Sequence, residues 1–185
     1  MTVTLEVDKL HKLAMILKVE MAAKGDAMWL EQERIDSLVN PIAHNLLKAQ
    51  AGKSSIELTQ LDALAEVVRI GAILWLIEVK RCCRSYPGNT KGYVSTLLSK
   101  LGDRTMEWLW IETELEPVRL WLCMLCSLSE PGRNNLAVAT RMIAGSVGVV
   151  SDERWDEIMA GVRKMPWLDV FEARIVGLRL RLCIW

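Results

Sequence analysis

Along nearly the whole chain, apolar residues recur three or four positions apart, the spacing of a helix face, and short alternating runs of strand type are almost missing. Leu10, Leu13, Leu17 and Met21 share one side of a predicted helix over Leu5–Ala23, which Lys24-Gly25-Asp26 closes. A second helix is predicted from Ala27 towards Val39, with Glu31, Glu33, Arg34 and Asp36 on its polar side. Asn40-Pro41 then reads as an N-cap and a first-turn proline, opening Ile42–Gln50. Ser54-Ser55-Ile56-Glu57 has the form of a capping box and opens a long helix reaching about Arg84. Its second half, Val67–Val79, is apolar nearly all round, the mark of a buried central helix.

Ser85-Tyr86-Pro87-Gly88-Asn89 ends that helix, and a shorter one follows over Gly92–Leu101 with Gly102 just past its end. Asp103–Glu114 reads as helical, and Pro117–Leu128 is a second almost wholly apolar helix with proline in its first turn. Asn134–Val147 stops at Gly148, Ser151 caps Asp152–Lys164, and Met165-Pro166 breaks the pattern before one or two short helices over Trp167–Trp185. Only Val3–Val7 and Leu178–Leu182 alternate, and each also suits a helix end. The pattern predicts an all-α, single-domain helical array of roughly nine helices around two apolar central helices. Residues 1–34 read as an N-terminal helical extension and 35–185 as the main helical domain.

Composition narrows the function classes. Apolar residues make up 51% of the 185, which excludes intrinsic disorder and predicts either a well-covered core or apolar surface kept for a partner. Eight of the eleven aromatic residues are Trp, a side chain suited to pockets and interfaces as well as cores. Twenty-three basic residues balance twenty-three acidic ones, so the excess that grips phosphate backbones is missing and direct nucleic-acid binding is not expected. The apolar stretches Val67–Val79 and Leu115–Leu128 are too short to span a bilayer and enclose Arg69, Glu78, Glu116 and Arg119, so no membrane association is expected. The first residues lack the pattern of a secretory signal, and five cysteines with no disulfide framework point to a reducing, intracellular compartment.

Candidate chemistry is thin. Cys123-Met124-Leu125-Cys126 is a C-x-x-C, but it lacks the second ligand pair of a zinc site and lies inside an apolar helix, so buried structural thiols are expected. Cys82-Cys83, between Arg81 and Arg84, is a basic setting that could lower a thiol pKa, or simply the polar end of a helix. Gly145-Ser146-Val147-Gly148 and Gly52-Lys53-Ser54 both lack phosphate-loop spacing. The two histidines, His11 and His44, stand alone. No catalytic set, metal site or cofactor is therefore assigned. Arg69 and Arg119 are charges inside apolar helices, each three residues after a glutamate (Glu66, Glu116). With Trp75 and Trp121 on the same helices, they are the candidate ligand- or partner-binding residues: Arg69, Trp75, Arg119 and Trp121.

The order of elements from Ile35 to Phe171 resembles the carboxy-terminal part of the fungal-specific transcription factor domain, the helical regulatory region of zinc binuclear cluster regulators. Three segments carry the likeness: Leu64–Ile77, Pro117–Leu128, and Trp155-Asp156-Glu157-Ile158 with Met165-Pro166-Trp167-Leu168-Asp169. The chain carries no six-cysteine cluster, basic linker or coiled coil. The resemblance implies a nuclear, non-catalytic domain acting through a protein partner, a homo-oligomer or a small hydrophobic metabolite, and it brings no catalytic residues. The alternative reading is an enzyme or small-molecule-binding protein of fungal secondary metabolism built on the same scaffold.

Overall fold

The computed structural model describes residues 2–50, 60–84, 88–107, 110, 114–129, 133–148 and 150–182. Among them are eight α-helices, three 3-10 helices and no strand, the all-α array that the sequence pattern predicts. The two alternating runs both resolve as helix: residues 3–7 lie within the first helix and 178–182 within the last. Ser54–Glu57, the proposed capping box, lies outside the described residues.

Packing gathers the chain into two compact units, Met1–Asn89 and Thr90–Trp185. In the first, α1 (Thr2–Lys24), α2 (Gln32–Gln50) and α3 (Gln60–Cys82) all pack on one another. Leu10, Leu13 and Leu17 of α1 are at most 2% exposed. α1 thus contributes to the core of this unit, and without it the apolar face beneath would lie open to water. Gly25 ends α1 in the left-handed region (φ 57), where a residue without Cβ meets no steric penalty.

The helix predicted from Ala27 towards Val39 forms but begins later, at Gln32. Gly25–Leu30 is a 3-10 turn that buries Met28 and Trp29, and α2 runs unbroken through Pro41. An interior proline costs a backbone hydrogen bond and about 3 kcal/mol. Opposing that cost, Ile35, Val39 and Leu46 are buried on both sides of it, a single apolar face that a break would misalign. Tertiary contacts fix the same turn. Lys80 Nζ of α3 donates to Asn40 Oδ1 at 2.7 Å and pairs with Asp36 at 3.0 Å, so Asn40 is a tether and not an N-cap.

In the second unit, α5 (Glu116–Ser129) is the centre: α4 (Lys91–Leu101), α6 (Arg133–Val147) and α7 (Asp152–Val162) pack around it, and every residue from Leu120 to Ser129 is buried. The short α8 (Val176–Leu182) packs on α6. Two sequence signals act as read. Ser151 Oγ accepts from the Arg154 N–H at the start of α7, and Gly148 ends α6 region with φ 72. Gly102 follows α4 without the left-handed backbone that favours glycine there. Its φ is −88, and a Cβ would meet the end of the flexible Met142 side chain at 3.0 Å. Within the predicted Asp103–Glu114 helix, Arg104–Met106 is a 3-10 turn, capped by Asp103 Oδ1 accepting from the Thr105 N–H at 2.9 Å.

Candidate functional site

The four candidate residues divide between the units, Arg69 and Trp75 in the first and Arg119 and Trp121 in the second. Arg69 is 3% exposed. Its Nε and Nη2 each donate at 2.7 Å to the Glu66 carboxylate, and Nη1 donates at 3.2 Å to the Leu46 carbonyl near the end of α2. The i,i+3 pair expected from spacing is therefore formed, and the guanidinium also ties α3 to α2. Trp75 is fully buried, and its indole N–H has no hydrogen-bond partner among the described residues. Leaving that donor unpaired costs on the order of 1 kcal/mol or more, which the burial of so large a ring offsets.

Arg119 is half-buried and does not pair with Glu116. It reaches instead to α6, where Nη1 donates to Ser146 Oγ at 2.9 Å, and that hydroxyl donates on to the Met142 carbonyl at 3.1 Å. Trp121 is fully buried and donates through Nε1 to the Pro166 carbonyl at 2.8 Å. The break at Met165-Pro166 is thereby fastened to the central helix. Trp167 beside it is also fully buried, edge-on to Phe171 at 5.4 Å. All four candidates thus have packing or bonding roles inside their own unit.

Burial outweighs nearby cations at the thiols of Cys83, Cys123 and Cys126. Burial pushes Cys123 up to about 12, the Arg119 charge lowering it only in part, and Cys126 is raised well above its ordinary value, first by burial and then by Cys123. Cys83 does not gain the lowered pKa that its basic neighbours suggested. Burial, then Cys82 and Asp36, push it up to about 11, against which Lys80 acts weakly. At pH 8 these three side chains are neutral thiols. In folded protein at that pH, Cys83, Cys123 and Cys126 are expected to resist iodoacetamide, and to react once denaturant is added. Peptide mass spectrometry checks this, and fast labelling of Cys126 in the native state would contradict it. Among the described residues, no group of three or more His, Cys, Asp or Glu is placed to hold a metal ion. No helix there is long and apolar enough to cross a membrane.

Two surface features of the first unit bear on function. One is a cleft of about 450 Å³ in the first unit, walled by Asp26, Trp29 and Leu30 from the 3-10 turn and by Cys82, Cys83 and Arg84 from the end of α3. Arg84 holds a left-handed backbone (φ 56), a conformation costing a side-chain-bearing residue about 1 kcal/mol. The other is the outer side of α1. Met15 and Val19 are each 68% exposed and Ile16 is 43% exposed, with Ala22 and Ala23 exposed beyond them. At 100° per residue these five fall in one arc of about 120°, opposite the buried Leu10, Leu13 and Leu17. Spacing along α1 marks the inner face through Leu10, Leu13 and Leu17. The signal for the outer one was available, because α1 carries apolar residues on both sides and its hydrophobic pattern is accordingly weakly one-sided.

Compared with protein families, curated proteins and solved structures, the chain matches none of them.

Proposed function

We propose that the chain is a non-catalytic regulatory interaction domain, acting in the nucleus as the resemblance to fungal regulators implies, through a protein partner or a bound metabolite. The outer face of α1 carries this reading. Single exposed apolar residues are ordinary, but five contiguous ones at helical spacing present a patch that a solvated helix has no reason to keep. Water-facing positions on a helix cost nothing to make polar, so apolar occupancy there favours a surface that is covered in use. Fused to a DNA-binding module of known operator, the chain is expected to change reporter output several-fold. Val19→Asp, at an exposed position that folding does not need, is expected to return output to the level of the module alone. A fusion that accumulates and occupies its operator without changing output contradicts the reading.

The second reading, an enzyme or a small-molecule-binding protein of secondary metabolism, has the cleft beside Trp29, Leu30 and Arg84 in its favour. Its volume falls in the range of small-ligand sites, roughly 300–1,000 Å³, and it combines apolar walls with a few polar groups. Native mass spectrometry of protein taken from its source tests it: a retained small molecule supports it, and a bare chain does not.

A further inference from the structure

We infer that the outer face of α1 pairs with the same face of a second copy, the two helices running antiparallel about a two-fold axis at Val19. The inference rests on the interaction reading above and names its partner. Val19 is central to the stripe along the helix and also around it. Turned end for end about that residue, the stripe meets its own complement. Met15 comes opposite Ala22 of the second copy, and Ile16 opposite Ala23 of the second copy, each on its own flank. Large side chains thus face small ones, the arrangement that lets two helices approach closely with knobs seated in holes.

Charge selects the same direction. Lys12 is exposed just before the N-terminal end of the stripe, and Asp26 is exposed just past its C-terminal end. Antiparallel pairing brings Lys12 of one copy towards Asp26 of the other at both ends, whereas parallel pairing in register would set Lys12 against Lys12. Glu20, at the margin, carries Lys24 at 3.0 Å and Arg34 within its own chain, and those cations hold its carboxyl below the ordinary value. Two copies therefore bring no bare carboxylates together along that edge. A contact carried by one helix buries less than the roughly 800 Å² per partner of standard interfaces, so the pairing is concentration-dependent and not obligate.

Cysteine cross-linking tests the geometry on the full chain, with circular dichroism to confirm helicity. Under mild oxidation Val19→Cys is expected to give a disulfide-linked dimer, because the two copies of that position meet on the axis. Met15→Cys alone is expected to stay single, since its two copies lie about 12 Å apart along the helices at 1.5 Å per residue, beyond disulfide reach. Met15→Cys combined with Ala22→Cys is expected to link. The unsubstituted chain, treated alike, sets the background from its own cysteines. Linking of both single variants would overturn the antiparallel register. No linking of any variant would overturn self-pairing, as would binding of α1 to anionic lipid vesicles with no dimer formed. Neither of these two results touches the reporter assay, which tests the broader interaction reading separately.

Discussion

Trp121→Ala is expected to cost about 5 kcal/mol, a large effect for a single truncation. Removing a fully buried Trp ring costs about 3–5 kcal/mol, and about 4 kcal/mol applies here because the packed neighbours collapse only in part into the space. Leu120 to Ser129 are all buried around it on α5, and the surrounding helices hold that packing from three sides. The substitution also strips the Pro166 carbonyl of its 2.8 Å donor, worth about 1 kcal/mol more. Stabilities of domains this size run about 5–15 kcal/mol, so the variant sits near the edge of folding. Trp121→Phe separates the two contributions. It keeps most of the ring and loses the donor, and is expected to cost about 2 kcal/mol. Urea unfolding followed by circular dichroism measures both. Were Trp121 kept for a ligand, Trp121→Ala would spare stability and remove binding.

Arg69→Ala is expected to cost about 3 kcal/mol. Breaking a buried pair by deleting one member costs about 3–5 kcal/mol, and the low end applies because the Glu66 side chain remains 27% exposed and can rehydrate. The link from Nη1 to the Leu46 carbonyl is lost as well, loosening α3 from the end of α2. Arg69→Met restores the apolar stem and is expected to cost roughly half as much, since long arginine stems contribute by packing as well as by charge. Combining Arg69→Met with Glu66→Gln removes the stranded carboxylate and should recover part of the remainder. Equal losses for Ala and Met would show that the charge alone matters.

The fates of these residues show what a sequence makes legible. Local physics was readable: the Leu10, Leu13, Leu17 face, the apolar helix around Trp121, the Ser151 cap and the Glu66–Arg69 pair all follow from spacing within a few residues. Contacts made at a distance were not. Pro41 looked like a helix start because its local cost is real, and it is overridden by the buried Ile35–Leu46 face and by Lys80, forty residues on, holding Asn40. Arg119 had a glutamate at helix spacing and took Ser146 instead, a partner twenty-seven positions away. The gathering of the chain into two compact units divides just after the Pro87-Gly88-Asn89 turn signal, which marks a helix end in the sequence but does not tell which helices pack together. Basic neighbours in sequence suggested a reactive Cys83, but burial governs that thiol, and burial is a property of the fold.

The outer face of α1 is the opposite case, a feature local enough to read whose meaning depends on knowing that the first face is already buried. Sedimentation velocity over a rising concentration series tests it most directly. The wild-type chain is predicted to move from 20.9 kDa towards twice that mass, while Val19→Asp remains at 20.9 kDa with unchanged helicity. A wild-type chain that stays single at every concentration, or a dimer that Val19→Asp leaves intact, would contradict the account.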